Sequence, residues 1–103
     1  MAAKAKVNFR PRAEADLIAL YQYIAAEAGL DVAGEYVDRI EAACLSLATF
    51  PELGRRRDDI EVGLRIVGFE RRASLVFHVG KAEITIVRIL YGGRDLESAL
   101  KQR

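Results

Sequence analysis

The chain has 103 residues, 51% hydrophobic and 30% charged, which suits one globular domain and excludes a disordered chain or a large multi-layer enzyme. Sixteen Lys and Arg stand against fifteen Asp and Glu, a formal net charge of +1 that argues against a protein coating nucleic acid non-specifically. The charge is divided, however: residues 1–12 carry +4, residues 13–50 carry −6 and residues 51–103 carry +3, an asymmetry that points to charged partners.

Val7-Asn8-Phe9 alternates and is bounded by Pro11, which reads as a short strand. Pro11 suits the first turn of a helix, where its missing N–H costs nothing. Ala13, Leu17, Leu20, Tyr21, Ile24 and Ala28 then recur at three- and four-residue spacing, one face of an amphipathic helix that Gly29 ends. Asp31 is placed to cap a second helix with the stripe Ala33, Tyr36, Val37, Ile40, Cys44 and Leu47. Glu35 and Arg39, four apart, are expected to pair on its outer face, and Phe50-Pro51 stops it. Two helices so closely joined form an antiparallel hairpin. Their acids read either as a solvated outer face or as an acidic docking surface.

Residues 51–60 read as a loop. Its run Arg55-Arg56-Arg57 beside Asp58-Asp59 is either a solvated charge cluster or a site for phosphate or carboxylate. Three short β-branched segments follow, Leu64–Phe69, Ala73–Val79 and Glu83–Leu90, joined by tight turns as an antiparallel meander. The last is apolar on both parities, as a central strand requires. Gly92-Gly93 breaks it, and residues 94–102 can form a last short helix. The expected fold is α+β: an N-terminal strand, an α-helical hairpin on a small antiparallel sheet, and a short C-terminal helix, all in a single domain over 1–103. If the hairpin covers one sheet face, the other is expected to show Val67, Phe69 and Val76, an apolar patch rimmed by arginine that suits protein binding.

Chemistry is sparse. There is no Gly-rich phosphate loop and no Cys/His metal spacing, so no cofactor or metal is expected. His78 is the only histidine and reads as structural or surface. Cys44 is the only cysteine; it lies on an apolar stripe without an evident activating base and reads as a small buried hydrophobe. With no internal disulfide, no signal-peptide apolar stretch and no membrane-length apolar run, the location expected is cytoplasmic.

Four motifs in order resemble the RelE/ParE toxins of bacterial type II toxin–antitoxin systems. They are Phe50-Pro-Glu-Leu-Gly-Arg55, Gly63-Leu-Arg65, Ser74-Leu-Val-Phe-His-Val79 and Val87-Arg-Ile-Leu-Tyr-Gly-Gly-Arg-Asp95; the opening Pro11-Arg-Ala-Glu-Ala-Asp-Leu17 and Tyr23-Ile24 also fit. The resemblance implies a β-α-α-β-β-β fold with a C-terminal helical or flexible tail. It also implies one of two activities: RelE-type cleavage of mRNA in the ribosome by Lys, Arg and Tyr side chains, or ParE-type poisoning of DNA gyrase. Carried over by the motifs, the RelE-type lysine position falls at Val67 and an arginine position at Ser74. Arg94 matches an arginine of that set, and no tyrosine follows Tyr91. Aliphatic and small side chains cannot stabilise a pentavalent phosphate, so the resemblance favours the ParE branch, with no catalytic residue and a RelE-like endonuclease as the alternative. The exit departs from the commoner ParE pattern Leu-His-Gly-Arg-Arg-Asp, with Tyr91 in place of histidine and Gly93 in place of an arginine. The resemblance further implies a ParD-like antitoxin as partner, with Tyr21, Arg65, Val67 and Phe69 as candidate contacts. The implied target is DNA gyrase or a topoisomerase–DNA complex, with Arg88, Tyr91, Arg94 and Asp95 as candidates for toxicity. Arg88 and Asp95 are alternatively a structural ion pair.

Overall fold

The computed structural model describes residues 5–92. The expected last helix, together with Arg94 and Asp95, lies outside them. The described chain runs β1 (Lys6–Phe9), α1 (Pro11–Ala28), α2 (Leu30–Ser46), β2 (Arg55–Arg56), β3 (Leu64–Phe69), β4 (Ala73–Val79) and β5 (Glu83–Tyr91).

Pro11 opens α1, and the preceding Arg10 donates its N–H to the Ile86 carbonyl at 3.0 Å, which ties the helix start to β5. Gly29 alone separates the two helices. Its φ of +99° is a conformation that L side chains rarely adopt, and it turns the chain in one residue. This corrects the expected cap. With Gly29 as the boundary, Leu30 is already helical, and Asp31 falls in the first turn of α2 without capping through its side chain. There its charge still meets the positive end of the helix dipole.

The meander forms with the expected strand bounds, β5 running one residue further to Tyr91. The sheet then grows at both edges, in the order β1-β5-β4-β3-β2. At one edge β1 lies parallel to β5, with Val7 opposite Ile84 and Phe9 opposite Ile86. At the other, the first two arginines of the presumed loop form β2, antiparallel to β3. β5 is thereby flanked on both sides, as its two apolar faces require.

Those faces feed two clusters. The hairpin packs Leu20, Ile24, Tyr36, Ile40 and Cys44 against Leu75, Phe77, Ile84, Ile86 and Ile89. Burying a side chain such as Ile40 or Phe77 is worth about 1.5–3 kcal/mol, so this layer holds the hairpin to the sheet. The second cluster lies on Leu64, Ile66, Val76, Val87 and Leu90, with Ile60 from the loop against it. A register shift between Val76 and Phe77 reverses the alternation along β5, so that Ile89 joins Ile84 and Ile86 in the first cluster and Leu90 joins Val87 in the second. The expected exposed patch is corrected here. Val67 and Phe69 pack toward the hairpin with the first cluster, whereas Val76 is fully buried in the second.

Among the described residues no helix is long and apolar enough to cross a membrane.

Candidate functional site

Two arginine–carboxylate bridges tie the sheet to the hairpin, and both involve residues singled out by the sequence. At the edge that β5 exposes once β1 has ended, Asp16 of α1 accepts from Arg88 Nε at 2.8 Å and from its Nη2 at 3.0 Å. The same carboxylate accepts the Ile89 backbone N–H at 2.9 Å, satisfying a donor on an otherwise open strand edge. Arg88 is only 1% exposed. Its side chain therefore serves the β5–α1 junction and is not presented to an outside partner; the Asp95 half of the alternative pairing lies outside the described residues.

The second bridge is on the surface. Arg39 reaches past the expected Glu35 and forks onto Glu70, with Nε at 2.8 Å and Nη2 at 3.1 Å from its two oxygens. The hydrogen bond from Arg39 holds the Glu70 carboxyl below its ordinary value. Glu70 and Arg71 form the centre of the β3–β4 turn, closed by Arg72 N–H to the Phe69 carbonyl at 3.1 Å. Both have positive φ, +48° and +63°, the mark of a type I′ turn, here without the usual glycine or asparagine.

Around this turn lies an aromatic pocket of about 530 Å³. Tyr36 meets Phe69 edge-on at 5.6 Å and Tyr91 at 6.0 Å, and Tyr23 meets Tyr91 at 5.9 Å. Arg39 sits 5.3 Å over the Tyr36 ring, and Arg72 hydrogen-bonds Tyr91. The Tyr36 hydroxyl is buried with no hydrogen-bond partner. Burial first, then the nearby Tyr91 and Glu70, push its pKa up from the ordinary value of 10.0, so it stays a neutral phenol.

On another flank of the hairpin, Phe9, Leu17, Ile18, Tyr21 and Val37 line an apolar groove of about 660 Å³ edged by Glu14 and Glu41. Ile18 is 61% exposed and Tyr21 is 36% exposed at its wall. Of the four antitoxin candidates, only Tyr21 lines this groove. Arg65 instead donates to the backbone carbonyls of Glu52 at 2.6 Å and Leu53 at 3.2 Å, clamping the loop that leads into β2. Gly54 in that loop has φ +80°, and a Cβ there would collide with the Ile66 carbonyl oxygen. Val67 and Phe69 are half-buried under the hairpin.

Other residues that the sequence singles out make contacts within the fold. Arg56 and Arg57 pair with Asp58 and Asp59 at 2.7 and 2.9 Å, as a surface charge cluster would. His78 Nε2 lies 3.0 Å from the Val62 carbonyl oxygen, a structural contact. Cys44 is fully buried, and burial pushes its thiol up to about 12, too high for a nucleophilic thiolate near neutrality.

The family described as the ParE toxin of the type II toxin–antitoxin system, parDE, matches residues 7–96. The chain belongs to the ParE toxin family. A curated relative, Toxin ParE3 of Caulobacter vibrioides, is 30% identical over 88 residues, covering 85% of this chain and 87% of the relative. A solved structure titled as a chromosomal ParDE toxin–antitoxin system from P. aeruginosa superposes with a TM-score of 0.75 at 28% identity, covering 86% of this chain and 97% of that one. The ParE assignment gives the motifs their setting. Phe50–Arg55 is the loop clamped by Arg65, Ser74–Val79 is the buried β4, and Val87–Tyr91 is the end of β5 that Asp16 anchors. The Tyr36–Arg39–Glu70 grouping is what sequence reasoning missed. Only the inward place of Tyr36 on its stripe hinted at it.

Proposed function

We propose that this ParE-type toxin arrests growth by engaging a topoisomerase–DNA complex, DNA gyrase first, through the segment that leaves β5 at Tyr91 and continues with Arg94 and Asp95. In this reading the toxin has no chemistry of its own. The observation that carries it is the state of the positions a RelE-type nuclease needs. Val67 is an aliphatic side chain packed toward the hairpin, and Ser74 sits half-buried mid-sheet opposite Leu90. Neither moves a proton nor stabilises a phosphorane. Arg88 contributes by fixing the strand from which the segment departs. A ParD-like antitoxin made in the same cytoplasm neutralises the toxin, laying apolar side chains into the groove beside Tyr21 and Ile18. Arg65, Val67 and Phe69 lie on β3, away from this groove, so an antitoxin that also reaches them extends across the sheet, and pairing of Arg65 with its carboxylate requires the guanidinium to share donors now given to the Glu52 and Leu53 carbonyls.

Expression of the chain alone in a bacterial host tests this. The expected result is growth arrest with a DNA-damage response and intact mRNA, and truncation after Tyr91 abolishes arrest while leaving antitoxin capture intact. Prompt cleavage of mRNA within codons would establish the RelE-like endonuclease instead. No growth defect would identify a chain retained only as an antitoxin partner.

A further inference from the structure

The aromatic pocket at the β3–β4 turn has an uneven charge inventory. Its cations are engaged: Arg39 is forked onto Glu70, and Arg72 hydrogen-bonds Tyr91. Its anions are not. Glu70 is taken by Arg39, but Glu27 and Glu35, both exposed on the rim, form no ion pair or hydrogen bond among the described residues. Glu35 acts on Arg39 only through its charge. The rings of Tyr23, Tyr36 and Tyr91 line the same pocket. One guanidinium is already accommodated by this chemistry, since Arg39 sits over the Tyr36 ring and forks onto Glu70.

These observations discriminate between ligand charges. An incoming carboxylate would have to displace Glu70 from Arg39 or Tyr91 from Arg72, and would then lie beside two unpaired carboxylates. An incoming guanidinium displaces nothing. It stacks on tyrosine faces, where cation–π attraction is available, and it neutralises Glu27 and Glu35. Tyr36 lines the same pocket, and its hydroxyl, buried and unpartnered in the free chain, becomes an acceptor once an entering group reaches it. The walls are set in advance, because the left-handed turn at Glu70 and Arg71 is pinned by Glu70 to α2 and by Arg72 to β5.

We infer that the pocket walled by Tyr23, Tyr36 and Tyr91 and rimmed by Glu27 and Glu35 is a receptor for a basic side chain, an arginine, of the partner protein that neutralises the toxin. The partner's identity rests on the reading under Proposed function; the ligand chemistry does not. The hairpin region agrees with it, since residues 13–50 carry a charge of −6, and a neutralising segment seated along them is favoured when it is basic.

The test uses the full chain and a probe that needs neither antitoxin nor toxicity. N-acetyl-arginine amide is titrated into the protein while the tyrosine ring signals are followed by NMR. Saturable shifts of Tyr23, Tyr36 and Tyr91 are expected, with half-saturation at about a millimolar, as befits a ligand of this size. Glu27→Gln combined with Glu35→Gln is expected to weaken binding about fivefold, the sum of two exposed charge contacts. Both positions are exposed, and an unchanged amide spectrum elsewhere confirms the fold of the variant. Equal shifts with N-acetyl-norleucine amide or N-acetyl-glutamate amide would overturn the proposal, and so would an unchanged affinity in the double variant. A chain that binds the arginine probe but never arrests growth would keep the pocket and reject the toxin reading; the converse result would do the opposite.

Discussion

The two bridges between sheet and hairpin have the same chemistry and opposite surroundings. Arg88 and Asp16 meet with side chains 1% and 11% exposed, and their carboxylate also takes a backbone N–H from β5. Arg39 and Glu70 meet with side chains 51% and 42% exposed, over a tyrosine ring. Water and salt screen the second pair and hardly reach the first, so equal hydrogen-bond lengths do not mean equal worth. The buried bridge fixes the exit of β5. The exposed bridge shapes a surface beside it that an outside group can enter.

The largest expected effect comes from the buried bridge. Asp16→Ala takes the facing carboxylate from a buried guanidinium and the acceptor from the Ile89 N–H, a loss of about 3–5 kcal/mol. For a domain of this size each kcal/mol lowers Tm by roughly 4–8 °C, so thermal and urea unfolding read the change easily. Asp16→Asn, which keeps an acceptor for Ile89, recovers part of it. A variant Asp16→Ala that melts near the parent would mean that the two bridges are equivalent after all.

The intermediate effect has the opposite sign. Tyr36→Phe removes a buried hydroxyl with no hydrogen-bond partner and keeps the ring contacts with Phe69 and Tyr91. An unmade buried hydrogen bond costs about 1–3 kcal/mol, so the free protein gains about 1 kcal/mol once ring repacking is allowed for. A lower Tm in this variant would show that the hydroxyl is satisfied in solution and that the pocket is less open to ligand than its geometry implies. A gain in stability joined to weaker binding of the arginine probe is the signature of a group kept for recognition.

The contrast between the bridges also marks what the sequence could say. Elements that depend on local patterns were legible: Pro11 at the start of α1, the inward stripe through Ile40 and Cys44, and the meander from Leu64 to Leu90. Contacts between distant residues were not. The i,i+4 rule pointed Arg39 at Glu35, yet the partner is Glu70, 31 residues on. Asp95 was the local candidate for Arg88, and the carboxylate that faces it in the fold is Asp16, 72 residues back. Strand parity correctly grouped Val67 with Phe69 but could not reveal which sheet face the hairpin covers. The shift at Val76/Phe77 breaks that parity on β5 itself, and no periodicity reports it. The candidate site is accordingly half-visible: Tyr21 and Tyr91 can be named, and the stripe correctly places Tyr36 inward, whereas its orphaned hydroxyl has no sequence signal.

The smallest effect, and the one that best separates the bridges, is that of Glu70→Gln. The side chain keeps its shape and loses its charge on an exposed pair, so the change in Tm at pH 7 should be smaller than that of Tyr36→Phe. Its pH dependence has a definite sign. Arg39 holds the Glu70 carboxyl below 4.5, its ordinary value, so the folded state binds that proton less readily than the unfolded chain. The contribution of the charge is therefore complete above about pH 4.5 and is lost as the pH falls through the depressed folded value. Parent and Glu70→Gln should converge in stability on acidification. They should also converge at neutral pH in 1 M salt, where the Debye length is about 3 Å. The deficit of Asp16→Ala should survive the same salt, because the charges involved lie inside the protein. A deficit in Glu70→Gln that persists in high salt would place the Arg39 bridge among the buried ones.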